Sequence, residues 1–173
     1  MDFNDILLTT LQLEGGYTNA DGYPTNYGVR QDIYNDYTKR TNLPSKDVKE
    51  LKFSEVKNFY RDDYWDKPKI STLPNEKVAA LVFDYGVNAG QGTAIKALQS
   101  IIGTKVDGAI GKKTREALNK YIEKNGEDVL VGQILNNREQ HYANLALSNP
   151  VKYGKFLQGW NNRISKLRAK YQP

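Results

Sequence analysis

From Asp2 to Glu14 the apolar residues Phe3, Ile6, Leu7, Leu11 and Leu13 recur at near-helical spacing, and Gly15-Gly16 follow with the backbone freedom that ends a helix. The pattern predicts a first helix with Glu14 in its last turn. Tyr17 to Val29 lacks that period, and Asp21-Gly22 between β-prone residues predicts a small hairpin or a tight irregular loop. Helical periodicity then returns over 30–39, 54–65, 75–88, 93–102, 114–123, 127–147 and 150–171, punctuated by Pro68, Pro74, Gly90, Gly92, Gly103, Gly126 and Pro150. The expected fold is mainly α, a helical globule with a small β-hairpin or irregular loop after the first helix. With no linker-like stretch and no repeat, its two halves are expected to pack together.

Composition narrows the chemistry more than the fold. The chain has 173 residues, a size that can bury a full core without disulfide or metal. It has no cysteine, and His141 is its one histidine, so a zinc site of His and Cys cannot be assembled within it. A cysteine nucleophile is excluded, and no G-x-S-x-G elbow supports a serine hydrolase. Gly86, Gly90 and Gly92 do not form a dinucleotide fingerprint, and Gly108 to Thr114 lacks P-loop spacing. His141, beside Tyr142 in a long predicted helix, reads as structural. No metal and no cofactor are expected.

Net charge is +5, and the excess concentrates at the end: Lys152, Lys155, Arg163, Lys166, Arg168 and Lys170 occur after Val151 with no acid among them. Such a segment is either a solvated helix face or a surface that attracts a polyanion. No nucleic-acid-reading motif accompanies it, so nucleic acid is not an expected partner. Met1-Asp2-Phe3-Asn4-Asp5 lacks a basic start and apolar core, and no run approaches a membrane span. The expectation is cytoplasmic synthesis without a signal peptide, no stable membrane insertion, and a monomer.

What remains for an enzyme is carboxylate chemistry, which suits glycoside cleavage because a leaving oxygen must be protonated while an oxocarbenium-like centre is stabilised. The negative end of a helix macrodipole favours the neutral form that a carboxylic acid needs to donate a proton near neutral pH. Glu14 is placed to be such an acid, with glycines after it that leave room for a bulky sugar. An exposed Glu before a glycine cap is the alternative on local physics alone.

The segment Glu14-Gly15-Gly16-Tyr17-Thr18-Asn19, followed by Pro24-Thr25-Asn26-Tyr27-Gly28-Val29, resembles the active-site signature of glycoside hydrolase family 108, lysozyme-like N-acetylmuramidases found as phage endolysins and as proteins linked to secretion. Tyr64-Trp65-Asp66, Phe83 to Gly90 and Gly159-Trp160-Asn161-Asn162-Arg163 resemble later blocks in the same order. Ala97-Leu98-Gln99, with Val106 to Gly111 and Thr114, resembles a predicted peptidoglycan-binding module found with that family. The resemblance implies a lysozyme-like fold, a catalytic half over 1–90 and a peptidoglycan-binding half over 91–173. It also implies peptidoglycan glycan strands as substrate and Glu14 as the catalytic acid. Where the family usually has a longer loop with D-P-G-G, this chain has Asp21-Gly22-Tyr23-Pro24, so Asp21 is either the second carboxylate or part of a turn.

Thr25 joins Glu14 and Asp21 as a catalytic candidate, while Tyr17, Asn19, Asn26 and Tyr27 are candidates for binding substrate. Tyr17, Tyr23 and Tyr27 either face a sugar or pack the hairpin. Asp84 lies in the apolar run Val78 to Val87 on one face with Asn88, so it needs buried partners and is expected to brace the site. Trp65 and Trp160 are stacking platforms or core, and Trp160 has the more polar neighbours. Asp84, Asn88 and Trp160 complete the expected substrate-binding set. A muramidase acting on the wall after release from the cytoplasm, possible through a holin, competes with a lytic transglycosylase and with a non-catalytic wall-binding or secretion-assisting protein.

Overall fold

The computed structural model describes residues 1–14, 16–19 and 22–172. The chain is mainly helical, with a short hairpin directly after the first helix, as the periodicity predicts. It divides into two compact units, Met1–Lys67 and Pro68–Pro173. Among the described residues no helix is long and apolar enough to cross a membrane.

In the first unit, α1 (Phe3–Gln12) starts on Asp2, whose side chain accepts from the Asp5 N–H at 3.0 Å. It ends sooner than the sequence predicts. Leu13 caps it in a right-handed conformation, and the Glu14 N–H turns back to the Leu11 carbonyl at 3.1 Å, which puts Glu14 just past the helix. The left-handed stop expected at Gly15-Gly16 falls in part on Gly15, which lies outside the described residues.

β1 (Thr25–Asn26) and β2 (Val29–Arg30) form an antiparallel pair, and Thr18 bridges Thr25 with two 2.9 Å backbone hydrogen bonds. Tyr27 and Gly28 connect the strands with φ of 51° and 74°. Two positive φ values in a two-residue connection match the twist of the flanking strands. Gly28 meets that demand freely, whereas Tyr27 does so against its Cβ.

α2 (Gln31–Arg40) and α3 (Phe53–Tyr60) supply an aromatic core: Tyr37 meets Phe59 edge-on at 5.3 Å, and Phe59 contacts Tyr60 at 5.2 Å and Tyr64 at 5.5 Å. The helix predicted over 54–65 loosens into a π-helical stretch, Arg61–Asp66, after Tyr60. There Trp65 rests on Phe3 at 5.2 Å between ring centroids.

The second unit contains α4 (Glu76–Ala89), α5 (Gln91–Ile102), α6 (Lys112–Asn125), α7 (Glu127–Ser148), α8 (Pro150–Tyr153) and α9 (Leu157–Tyr171). Every residue from Val78 to Gly86 is buried, as expected of a helix enclosed by α5 and α7. α7 packs on α9. The helix predicted over 150–171 is interrupted by a 3₁₀ turn, Gly154–Phe156, so α9 starts afresh at Leu157.

Between α5 and α6 the chain is ordered by one buried amide. Gln99 accepts from the N–H groups of Asp107 and Gly108 at 3.1 and 2.9 Å, and donates to the Ala109 carbonyl at 3.0 Å and Thr114 Oγ1 at 3.2 Å. Asp107 Oδ1 closes the knot by accepting from Gln99 and from the Ala109 N–H, each at 3.0 Å.

Candidate active site

Three elements of the first unit meet at Glu14. The end of α1 carries it, the Tyr27-Gly28 turn faces it, and Tyr60 of α3 supports that turn by donating from its hydroxyl to the Tyr27 carbonyl at 2.7 Å. The Glu14 carboxyl lies against the Gly28 backbone. A Cβ built on Gly28 would stand 3.3 Å from Glu14 Oε2, 3.4 Å from its Cδ and 2.7 Å from the Tyr60 hydroxyl. Only a residue without a side chain fits there, for two independent reasons: the positive φ and the occupied space.

The segment after Glu14 carries three exposed rings, Tyr17, Tyr23 and Tyr27, at 45%, 54% and 38% of their full accessibility. Such exposure of three large rings does not fit a role confined to packing the hairpin. Cations cover two of them: Lys49 Nζ lies 5.5 Å from the Tyr17 centroid and the Arg30 guanidinium 4.5 Å from that of Tyr23. Asn19 is exposed, and its carbonyl accepts from the Gly22 N–H at 3.4 Å.

Two other candidates have their polar groups engaged by the chain itself. The Thr25 hydroxyl donates to the Tyr23 carbonyl at 2.9 Å. Asn26 is buried, and its amide donates to the Val48 carbonyl at 2.9 Å, tying the hairpin to the 3₁₀ turn Val48–Glu50. Asp21 lies outside the described residues.

Asp84, Asn88 and Trp160 belong to the second unit, where Arg138 and Tyr142 of α7 link them. The Asp84 carboxylate accepts from Arg138 Nη1 at 2.7 Å and from Arg163 Nε and Nη2, both at 2.9 Å. Burial opposes its ionisation, but the two guanidiniums outweigh that and hold the carboxyl below its ordinary range. Arg138 Nε donates to the Tyr142 hydroxyl at 2.9 Å, and that hydroxyl donates to Asn88. Trp160 stacks on Tyr142, centroids 4.6 Å apart and planes 16° from parallel.

The partners that Asp84 demands are therefore two arginines, one of which the sequence had grouped with the solvated basic segment. Arg163 is 6% exposed and turned inward, and Arg168 is held by Glu139 at 2.9 Å. Arg138 Nη2 has no hydrogen-bond partner among the described residues, and the Tyr85 and Tyr142 rings, 5.0 and 5.5 Å from its guanidinium carbon, compensate by cation–π attraction. His141 contacts both rings, at 5.9 and 5.8 Å.

Residues 7–90 match the family model described as Glycosyl hydrolase 108, and residues 93–165 match the one described as Predicted Peptidoglycan domain. The chain carries a glycosyl hydrolase 108 domain. It is thus a glycoside hydrolase of peptidoglycan-hydrolase type, and the second match ties it to peptidoglycan. Among solved structures it is similar to that of SagA from Brucella abortus, with a TM-score of 0.76 and 25% identity over 98% of this chain and 93% of that one. No curated protein matches it.

Within the glycosyl hydrolase 108 match, the sequence singles out Glu14 as a candidate but not Tyr60, which supports the turn facing it. That tyrosine follows Phe59 on an apolar helix face and is 1% exposed, so nothing in the local pattern distinguishes it from ordinary core. Arg138 was missed for a related reason, because an arginine in a long helix normally reads as surface. The signal that could have found it is Asp84, an acid in an apolar run that requires a cation.

Proposed function

We propose that the chain is an N-acetylmuramidase that cuts the β-1,4 bond between N-acetylmuramic acid and N-acetylglucosamine, with Glu14 as general acid. The observation that carries this reading is the seat of the Glu14 carboxyl on the Gly28 backbone, in a segment that also exposes the rings of Tyr17, Tyr23 and Tyr27. A proton donor at such a place is held from one side by main chain. Amphipathic rings offer apolar faces to the sugar and hydroxyls to its substituents.

In this reading Glu14 protonates the leaving oxygen while water attacks the opposite face of the sugar. Thr25 positions that water, with Asp21 as the second carboxylate. The Thr25 hydroxyl spends its one proton on the Tyr23 carbonyl, so toward a water it presents acceptor lone pairs. A water held by such an acceptor attacks directly, without a covalent intermediate on the protein, and the anomeric configuration inverts. The enzyme acts as a monomer, without metal or cofactor, on the cell wall after release from the cytoplasm through a holin.

The test is Glu14→Gln, which keeps the side chain's shape and removes its proton. Loss of general acid catalysis costs about 10²- to 10⁴-fold. Lysis of purified sacculi is expected to fall by that factor with thermal unfolding unchanged, and near-wild-type lysis by the folded variant refutes the role of Glu14. Mass spectrometry of the released fragments checks the chemistry: reducing muramic acid ends support hydrolysis, whereas 1,6-anhydro ends mean transglycosylation.

A further inference from the structure

The Gln99 knot supports a cationic groove separate from the Glu14 site. One cavity, of about 390 Å³, is lined by Lys69, Lys105, Lys112 and Lys113 around Ile110 and Gly111. A second, of about 630 Å³, runs along α6 past Lys113, Lys120 and Lys124, with Ile102, Ala117 and Tyr121 among its walls. Thr104 and Lys113 line both, so the two cavities adjoin. All six lysines are exposed.

Several features distinguish this groove from a scatter of surface lysines. Gln99 is fully buried and fixes the loop between Lys105 and Lys112 through the hydrogen bonds described above. Gly108 presses its backbone on Lys96, whose Cε a Cβ there would meet at 3.3 Å. Lys69 enters from outside the α5–α6 segment on a left-handed backbone, φ 62°, which is a costly conformation for a lysine.

The acids of the groove are Asp107 and Glu116. Asp107 is engaged by the Ala109 N–H and Gln99, and Glu116 reaches Lys112 only at 3.8 Å. The ligand that fits is therefore mostly anionic, carries small apolar groups for the Ile102, Ala117 and Tyr121 wall, and bears a lone cation for Glu116. A polyphosphate meets the first demand and fails the other two. A short peptide rich in carboxylates, with methyl side chains and one amine, meets all three, and the stem peptide of peptidoglycan is such a molecule.

We infer that this groove binds the stem peptide of the wall, so that the second unit reads the peptide while the Glu14 site cuts the glycan. The inference rests on the peptidoglycan reading of the chain and adds which part of the polymer the second unit takes.

The test titrates the full ¹⁵N-labelled chain with a synthetic N-acetylated stem pentapeptide of L-Ala, γ-linked D-Glu, L-Lys, D-Ala and D-Ala, which carries two carboxylates and one amine. Amide shifts are expected at Ile102, Ala117 and Tyr121. Affinity is expected to fall about tenfold when Lys113, Lys120 and Lys124 are together changed to Gln, as exposed ion pairs are individually weak. A peptide with amidated carboxyls should weaken as much with the unaltered protein, which makes that arm independent of any folding defect. The inference is overturned by absence of shifts in the groove, by equal binding of the amidated peptide, or by stronger binding of poly(glycerol phosphate). Cleavage of peptide-free glycan strands separates the two readings. If the strands are cut while the groove ignores the peptide, this inference alone fails; if they stay intact while the groove binds the peptide, it stands and the muramidase reading fails.

Discussion

The carboxyl of Glu14 rests against the Cα of Gly28, fourteen positions along the chain, with so little space between them that a single methyl group would stand 3.3 Å from Oε2. The proton donor proposed for this enzyme is thus placed by a backbone turn rather than by its own helix, which ends at Gln12.

Gly28→Ala is expected to damage the site more than its size suggests. A Cβ on a left-handed backbone costs about 1–2 kcal/mol, and this one also collides with the Tyr60 hydroxyl at 2.7 Å. Displacement of a catalytic group by about 1 Å can cost ~10²-fold in rate. Lysis assays with a parallel thermal melt check both effects; full activity in the variant means that the turn does not position Glu14.

Tyr60→Phe removes the donor to the Tyr27 carbonyl and leaves a residue of positive φ without that support. A loss of about 1 kcal/mol in stability is expected, as for one hydrogen bond. The rate should fall less than in Gly28→Ala, because the turn loosens without being blocked. Denaturant unfolding and kcat on sacculi measure the two.

Asp84→Asn is expected to destabilise the second unit by about 3–5 kcal/mol, since it takes a buried carboxylate away from two buried arginines. The carboxyl titrates below its ordinary value in the folded chain, so its contribution is fully present above about pH 4 and is lost as pH falls through the lower folded value. Urea unfolding at pH 7 and pH 3 should show a gap between wild type and variant that narrows in acid. A gap as wide at pH 3 as at pH 7 contradicts the ion-pair account.

His141 makes a clean probe because it is the one histidine of the chain. Burial, then the Arg138 charge, lowers its pKa from the ordinary value of 6.5. The stability that it contributes is complete above pH 6.5 and declines as pH falls toward the lower folded value. Imidazole proton NMR is expected to place its midpoint below 6.5, and His141→Gln should flatten that part of the pH–stability curve. A midpoint at or above 6.5 would mean that the ring is solvated.

The stereochemical prediction can be read before mutarotation. Attack by a water held at Thr25 gives an α reducing end from the β-linked glycan, visible in early proton NMR spectra of the digest. An initial β product refutes inversion.

The sequence by itself determined the helices and their order, and it singled out Glu14 as the candidate proton donor. Helical period and breaker residues are local properties, and a buried helix such as α4 announces itself by an apolar run with one acid in it. It also determined that Asp84 must have partners, because a carboxylate cannot be buried alone. Which partners was a tertiary decision: Arg138 and Arg163 lie 54 and 79 positions away, and no spacing rule couples residues at such separations. The same holds at Glu14. It is followed in sequence by glycines, but in space it meets the Gly28 backbone, brought there by a turn with two positive φ values that the Tyr60 hydroxyl supports. Where α1 stops was decided by backbone bonding at Leu13 and Glu14, an end effect too small for the hydrophobic pattern to carry.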